Sequence, residues 1–195
     1  MDDIIQSALR GDEASLNALI RACSPGLKAL LQPMVDEATA ADIIQEVWLS
    51  VFTHLQDFKQ KSHFKTWLYR IAINQAKTHL KSAWIKKVIP DSNDDFDVRF
   101  DAHGSWNKIP ESWGMESPES LLEQEELSLL IQTNIERLPH QQRLVFIMHD
   151  IEQIEFKDIC AMLELSQSNV FVLLHRARKA LYAQIDHFFL TGKSK

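Results

Sequence analysis

The chain has 195 residues, of which 45% are hydrophobic and 25% charged, values typical of one sizeable soluble domain or two small ones. Its formal net charge of −6 argues weakly against a general polyanion-binding protein. No apolar run approaches the roughly 20 residues that span a bilayer, so we expect no membrane insertion, and the acidic N-terminus is unlike a signal peptide.

Helical periodicity dominates the first 90 residues, and no alternating pattern predicts a strand. Gly11 and the Ser-Pro-Gly sequence at 24–26 separate the first three predicted helices. Cys23 is isolated from Cys160, so we expect two reduced thiols of a cytoplasmic protein rather than a disulfide. The predicted helices lie near 2–10, 12–22, 25–35, 38–57 and 62–86.

The helix predicted over 38–57 has two different faces at about 100° per residue. Its apolar face, which we expect to be buried, contains Ile44, Val47, Trp48, Val51 and Leu55. The opposite arc contains Asp42, Gln45, Glu46 and Leu49. An apolar side chain within a polar rim is typical of a protein-binding face, although a charged face is as often simply solvated.

The stretch from Phe58 to Pro90 contains no Asp or Glu but eight Lys or Arg residues. One face of its helix carries Arg70, Asn74, Lys77 and Lys81, and the preceding loop adds Lys59, Lys61 and His63. Trp67 and Tyr69 offer rings on which an unpaired base could stack. Basic residues interleaved with aromatic rings predict a single-stranded nucleic-acid interface. The alternative is a lysine stripe that serves only solubility.

Residues 91–118 lose helical periodicity and collect Pro, Gly, Ser and Asp, as a linker does. The range 91–126 holds eleven carboxylates against Arg99 and Lys108, so the linker is acidic. Trp106 and Trp113 are unusual in a flexible spacer, and we expect them to dock locally rather than to bind a partner. We hypothesise that the acidic linker folds over the basic faces of the free protein.

Four further helices are predicted near 119–136, 139–150, 155–163 and 166–188. The last two, with Ser166 as N-cap between them, have the outline of a helix-turn-helix. On the final helix, an inner stripe contains Val170, Leu173, Leu174, Ala177 and Leu181. We expect the outward side to carry Ser168, Phe171, Val172, His175 and Lys179, flanked by Arg176 and Arg178. Such a helix reads base edges in the major groove, unless Phe171 and Val172 are covered by other parts of the protein.

Motifs of several enzyme classes are missing from the sequence. It contains no glycine-rich phosphate loop, no GxSxG and no HExxH, and its eight histidines and two cysteines lack metal-ligand spacing. We therefore expect no catalytic activity, no metal and no cofactor.

The run "ADIIQEVWLSVFTHLQDFKQKSHFKTWLYRIAINQAKTHLK" (41–81) resembles region 2 of bacterial RNA polymerase sigma factors of the extracytoplasmic-function (ECF) group. "LPHQQRLVFIMHDIEQIEFKDICAMLELSQSNVFVLLHRARKAL" (138–181) resembles region 4 of the same group. The resemblance implies a factor that binds core polymerase, directs it to promoters and aids DNA melting. It also implies contacts with the β′ clamp helices and the β flap, and control by an anti-sigma factor.

The resemblance assigns roles to individual residues. It implies that Asp42, Gln45, Glu46 and Leu49 bind the β′ clamp helices. It implies that the loop of Lys59, Lys61 and His63 captures a flipped base of the minus-ten element. The helix that meets this element would use Lys65, Trp67, Arg70, Asn74, Lys77 and Lys81. The minus-thirty-five element would meet Ser168, Phe171, His175, Arg176, Arg178 and Lys179.

We therefore expect an all-α protein with a region 2 domain over 1–90, a flexible acidic linker over 91–118 and a helix-turn-helix region 4 domain over 119–195. Phe171 departs from the family, where a basic residue is frequent, so minus-thirty-five recognition is expected to be either less electrostatic or altered. Two alternatives remain open: a helix-turn-helix regulator that never joins polymerase, and an adaptor whose basic faces bind only protein.

Overall fold

The computed structural model describes residues 2–58, 63–80 and 125–191. All regular elements within these residues are helical, which confirms the predicted all-α class. A 3-10 turn over Leu55–Asp57 follows the third helix, and a π-helical turn over Ile147–Ile151 follows the sixth. The eight α-helices of the described part are α1 (Asp2–Leu9), α2 (Glu13–Leu31), α3 (Glu37–His54), α4 (Phe64–His79), α5 (Glu125–Arg137), α6 (His140–Phe146), α7 (Phe156–Leu163) and α8 (Gln167–Thr191).

The described residues divide into two compact units. The first combines residues 2–58 and 63–80 with residues 147–165, so α7 and the π-helical turn belong to the same unit as α1 to α4. The second contains α5, α6 and α8. The domain boundaries expected from sequence, at 90 and 119, stay a prediction. The acidic linker over 91–118, with Trp106 and Trp113, lies outside the described residues.

Helix α2 is continuous where the sequence predicted a break, so the two separate helices near 12–22 and 25–35 are wrong. Pro25 lies inside the helix and removes one backbone hydrogen bond, at a cost of about 3 kcal/mol. The leucines that follow it, Leu27, Leu30 and Leu31, are fully buried. Each contributes about 1.5–3 kcal/mol of burial, and together they outweigh the proline penalty.

Gly26 in α2 permits a close approach between helices of the first unit. A Cβ atom at this position would overlap the Tyr69 hydroxyl and lie 2.7 Å from Glu152 Oε1. The absence of a side chain therefore lets α4 and the turn after the π-helical segment lie directly against α2. On the same helix, Ser24 Oγ accepts a hydrogen bond of 3.2 Å from the Trp48 indole of α3.

Two aspartates start the helices that form the centre of the first unit. Asp12 accepts a hydrogen bond of 3.0 Å from the Ser15 backbone N–H at the start of α2. Asp36 does the same for Thr39 at the start of α3, also at 3.0 Å. The Ser15 hydroxyl and then its N–H lower the pKa of the Asp12 carboxyl, and the Thr39 N–H and then its hydroxyl lower that of Asp36, because these hydrogen bonds favour the ionised form.

The second unit is built on α8, which packs against α5 and α6. One cluster joins Leu127 and Leu130 to Phe188, and another joins Leu138 to Ala177 and Leu181. The predicted inner stripe of α8 is confirmed, since Val170, Leu173, Leu174, Ala177 and Leu181 are all buried.

Both cysteines are free thiols, Cys23 buried and Cys160 half-buried, as the sequence predicts. Burial raises the pKa of both thiols. None of the helices in the described part of the chain has the length and hydropathy needed to cross a membrane.

Candidate protein and nucleic-acid interfaces

The outer face of α3 carries the four side chains predicted to bind another protein. Asp42, Gln45 and Glu46 are exposed, and Leu49 is 65% exposed although it is a large apolar side chain. On the opposite side of the helix, Val47 and Trp48 are buried in the first unit. The sequence pattern therefore assigned the outer face correctly and most of the inner one. Ile44, predicted to be buried, is only half-buried, and the neighbouring Ile43 is fully buried instead.

Phe52 extends this face and was missed by the sequence analysis. Its side chain is 44% exposed, and its ring lies 6.2 Å from that of Trp48. At about 100° per residue, Phe52 falls next to Gln45 on the helix. This position on the helical wheel could have identified Phe52 from the sequence. It places a second apolar side chain beside Leu49. We call Asp42, Gln45, Glu46, Leu49 and Phe52 the α3 face.

The basic residues of α4 lie on one side of that helix. Arg70 and Asn74 are exposed, and Lys65 and Lys77 are half-buried. His63, immediately before the helix, is exposed. We call this set the α4 face. Of the residues assigned to the same interface by sequence, Lys59, Lys61 and Lys81 lie outside the described part of the chain.

Trp67 is half-buried at the edge of the α4 face. Its ring packs at 5.2 Å from Phe58 and 5.8 Å from Phe64, measured between ring centroids. These two aromatic neighbours hold the indole in place, while part of it remains accessible to solvent. The predicted role of Trp67 as a stacking platform for an unpaired base stays a prediction.

Tyr69 is not an exposed ring, and its predicted role in base stacking is wrong for this conformation. The side chain is fully buried, and its hydroxyl donates a hydrogen bond of 2.6 Å to Glu152 Oε2. Burial, and next the hydrogen bond with Glu152, raise the pKa of the hydroxyl above its ordinary value. The close approach at Gly26 explains this placement, because α2 leaves room for the phenol between the helices.

Carboxylates from residues 147–165 pair with the α4 face. Lys65 Nζ lies 2.9 Å from Glu152 Oε2, and Lys77 Nζ lies 2.6 Å from Glu164 Oε1. The Arg70 guanidinium contacts Asp158 Oδ1 at 3.3 Å. Sequence patterns alone do not identify these partners, because they lie 87 or 88 positions away along the chain. A signal existed, since residues 147–165 hold five carboxylates and a single lysine.

Helix α8 presents the residues predicted to read double-stranded DNA. Ser166 caps its start, its Oγ accepting a hydrogen bond of 3.2 Å from the Asn169 backbone N–H, as predicted. Ser168 and Lys179 are exposed, while Phe171, Arg176 and Arg178 are half-buried. A polar start followed by cationic side chains fits a helix that contacts both bases and phosphates.

His175 differs from its prediction. It was expected to point outward, but only 6% of its surface is exposed. Its ring stacks on that of Phe171, with centroids 6.4 Å apart and an interplanar angle of 8°. The four-residue spacing brings the two rings together on one face of the helix. In this conformation His175 supports Phe171 rather than offering an exposed hydrogen-bonding group.

The two halves of the chain match two regions of one family. Residues 19–85 match the model of Sigma-70 region 2, which includes α3 and α4. Residues 128–181 match the model of Sigma-70, region 4, which includes α6 and α7. The chain belongs to the sigma-70 family.

Individual relatives agree with this assignment. The chain is 26% identical over 178 residues to the ECF RNA polymerase sigma-E factor of Escherichia coli (strain K12), covering 91% of this chain and 90% of the relative. It is 27% identical over 179 residues to the RNA polymerase sigma-H factor of Pseudomonas aeruginosa, with the same coverage. A solved structure of CnrH in complex with the cytosolic domain of CnrY shares the fold, with a TM-score of 0.50 and 19% identity over 94% of this chain and 96% of CnrH.

The protein is thus an RNA polymerase sigma factor of the ECF group, which confirms the resemblance found in the sequence. Such a factor binds core polymerase, directs it to specific promoters and aids promoter melting. A helix-turn-helix regulator that never joins polymerase would account for the region 4 match alone. A protein-only adaptor accounts for neither match.

Proposed function

We propose that this sigma factor divides its work among three faces. The α3 face binds the β′ clamp helices of core polymerase, the α4 face binds the minus-ten element and its displaced strand, and α8 binds the minus-thirty-five element. Supporting this division, the α3 face combines exposed apolar and acidic side chains, whereas the α4 face is mostly cationic and has the Trp67 ring at its edge. The first composition suits a protein partner, and the second suits nucleic acid.

The observation that carries the polymerase contact is Leu49, which is 65% exposed between Gln45 and Glu46. A large apolar side chain rimmed by carboxylates and an amide has the composition of a protein interface, with an apolar centre and a polar rim. Asp42 and Glu46 would then meet cationic groups of polymerase. Reversing their charge replaces attraction by repulsion, which weakens binding and slows association.

A run-off transcription assay tests this contact. Purified chain and core bacterial RNA polymerase are incubated with bulk genomic DNA, and new transcripts are mapped. We expect defined transcripts with the wild-type chain and at least a tenfold loss with Asp42→Lys plus Glu46→Lys, equivalent to about 1.4 kcal/mol. The matched control is Glu13→Lys plus Glu136→Lys, which changes the net charge equally at exposed positions of α2 and α5.

Unchanged transcription by the Asp42/Glu46 variant would contradict the proposed polymerase contact. Equal losses in both double variants would show a general effect of charge and would contradict it as well. The assay also reveals the promoters served, because the 5′ regions of the transcripts identify them.

On α8 we propose that Ser168 and Phe171 meet base edges, with Arg176, Arg178 and Lys179 on phosphates. His175 acts by stacking on Phe171, because its own ring is buried in the free protein. The half-buried Phe171 replaces a cation with an apolar ring that suits a thymine methyl group. This composition favours an element in which thymine contacts contribute more than phosphate charge does.

We further propose that the chain supplies no catalytic step, since polymerase performs the synthesis, and that it works in the cytoplasm beside polymerase. An anti-sigma factor that covers the α3 face is proposed as a regulatory partner. Two observations support such a partner: the exposed Leu49 and Phe52, and the solved complex of the structural neighbour CnrH with the cytosolic domain of CnrY.

A further inference from the structure

We propose that residues 147–165 act as an internal competitor of nucleic acid, holding the free sigma factor in a closed state. Their carboxylates occupy the positions on the α4 face that phosphate groups would take. We call this range the closing segment. The inference rests on the proposed nucleic-acid role of the α4 face, and it adds a regulated step before that role.

Glu152 is the central contact of the closing segment. Its side chain is only 10% exposed, and one oxygen, Oε2, accepts hydrogen bonds from both Lys65 Nζ and the Tyr69 hydroxyl. A carboxylate with two donors at 2.9 and 2.6 Å reproduces the local environment of a bound phosphate oxygen. Lys65 is therefore engaged before any nucleic acid arrives.

The backbone around Glu152 is built to hold this position. The Glu152 N–H donates to the Ile147 carbonyl, and the Ile154 N–H donates to the Met148 carbonyl, both at 2.9 Å. Between them Gln153 has a φ of 56°, in the left-handed region that non-glycine residues rarely adopt. The two backbone hydrogen bonds hold the turn in this conformation. The turn in this way directs the Glu152 side chain towards α4.

Glu164 repeats the pattern at the other end of α7. It ends the helix with a φ of 57°, where glycine would be favoured, yet its carboxylate lies 2.6 Å from Lys77 Nζ. Between the two glutamates, Asp158 lies 3.3 Å from the Arg70 guanidinium. The three carboxylates therefore follow the α4 face from Lys65 to Lys77 in register.

The closing segment also packs closely against α2 and α4. Gly26 leaves space that the Tyr69 hydroxyl and Glu152 both fill, since a Cβ there would lie 2.7 Å from Glu152 Oε1. The outer pairs are more accessible on one side: Arg70 is 47% exposed and Glu164 is 76% exposed, whereas their partners Asp158 and Lys77 are 21% and 20% exposed. Exposed ion pairs of this kind are weak individually. The segment thus has one anchored contact and two that phosphates can displace.

Closing lowers the affinity of the free protein for nucleic acid in proportion to the fraction of molecules that are open. The test is binding of the full-length free chain to a fluorescein-labelled oligothymidylate, measured by anisotropy. We expect the triple variant Glu152→Gln/Asp158→Asn/Glu164→Gln to bind about tenfold tighter than wild type, as it should if about one in ten wild-type molecules is open.

A matched control removes three other exposed carboxylates: Glu13→Gln/Glu37→Gln/Glu136→Gln. It changes the net charge by the same amount and also breaks one exposed ion pair, Lys28 with Glu37 at 3.0 Å. We expect at most a twofold change in its affinity. Equal gains in the two triple variants would overturn the proposal, because they would show a general charge effect.

A second variant keeps the test decisive if Glu152→Gln disturbs folding. Asp158→Asn/Glu164→Gln alters only two partly or largely exposed carboxylates, and we expect a smaller gain of about threefold. Adding Lys77→Ala to this double variant should reverse the gain. A double variant with wild-type affinity, verified as folded by circular dichroism, would overturn the proposal.

The run-off assay separates this inference from the proposed function. If promoter-specific transcripts appear but both variants bind the oligothymidylate no better than wild type, the closing segment is refuted and the sigma function stands. If the variants bind no oligothymidylate and Lys77→Ala leaves transcription unchanged, the α4 face itself has been misassigned and the inference fails with it.

Discussion

A single hydroxyl group decides the role of the aromatic ring at residue 69. The sequence places Tyr69 one position from the inner-face residue Leu68, at the border between core and surface. Its fate depends on Gly26 and Glu152, which lie 43 and 83 positions away along the chain. No local pattern contains that information, so the ring was expected at the surface and is found in the interior.

We predict that Tyr69→Phe lowers the free energy of unfolding by about 1–2 kcal/mol, because the buried Glu152 carboxylate loses a donor. Urea denaturation monitored by tryptophan fluorescence measures the change. In the double variant Tyr69→Phe/Glu152→Ala, the two losses should not add fully, since each substitution removes the same hydrogen bond. Additive losses would contradict a direct coupling between the two groups.

At the scale of helices, periodic patterns predicted the buried faces well. The inner sides of α3 and α8 are assigned by residue spacing alone, because burial of one stripe is what an amphipathic helix requires. Helix α2 is a case that local sequence patterns do not predict. Pro25 and Gly26 form a strong local breaker sequence, but the leucines on either side pack into the same core, and this tertiary burial outweighs the local preference.

Helix α3 also provides a test of its start, because Asp36 caps it through Thr39. Hydrogen bonds hold the pKa of Asp36 below 3.8, so the ionised carboxylate stabilises the folded state above that pH. The contribution is lost as the pH falls through the lowered value. We predict that Asp36→Asn, which still caps, remains near wild-type stability at pH 7, whereas Asp36→Ala is less stable there.

Urea midpoints of the three proteins, measured from neutral pH to below pH 3.8, check this prediction. Both variants should lose less stability than wild type on acidification, because neither has a titrating group at the cap. A wild-type acid dependence in Asp36→Asn would show that the cap carboxylate does not contribute to it.

At the scale of the whole molecule, the α3 face and the basic composition of the α4 face were predictable from the sequence. The pairing of the α4 face with carboxylates of the same chain was not. The absence of carboxylates over Phe58–Pro90 is evident from the sequence alone. Which acidic residues meet it depends on the fold, and the closing segment comes from the range matched to region 4. Opposite charge signs in the two ranges are a necessary condition for contact, and several other acidic ranges satisfy it equally.

The closing segment has a consequence for competition among sigma factors. If core polymerase engages only the open state, its apparent affinity for the free chain is reduced by the same open fraction that reduces oligothymidylate binding. We therefore predict that the Glu152→Gln/Asp158→Asn/Glu164→Gln variant displaces wild type from limiting core polymerase, by about the factor measured for the oligonucleotide. Mass spectrometry of the core-bound fraction, after mixing equal amounts of both chains, measures the ratio.

The Glu13→Gln/Glu37→Gln/Glu136→Gln variant should share the core equally with wild type. Equal sharing by the opened variant as well would mean that polymerase binds the closed chain and that opening follows on the promoter.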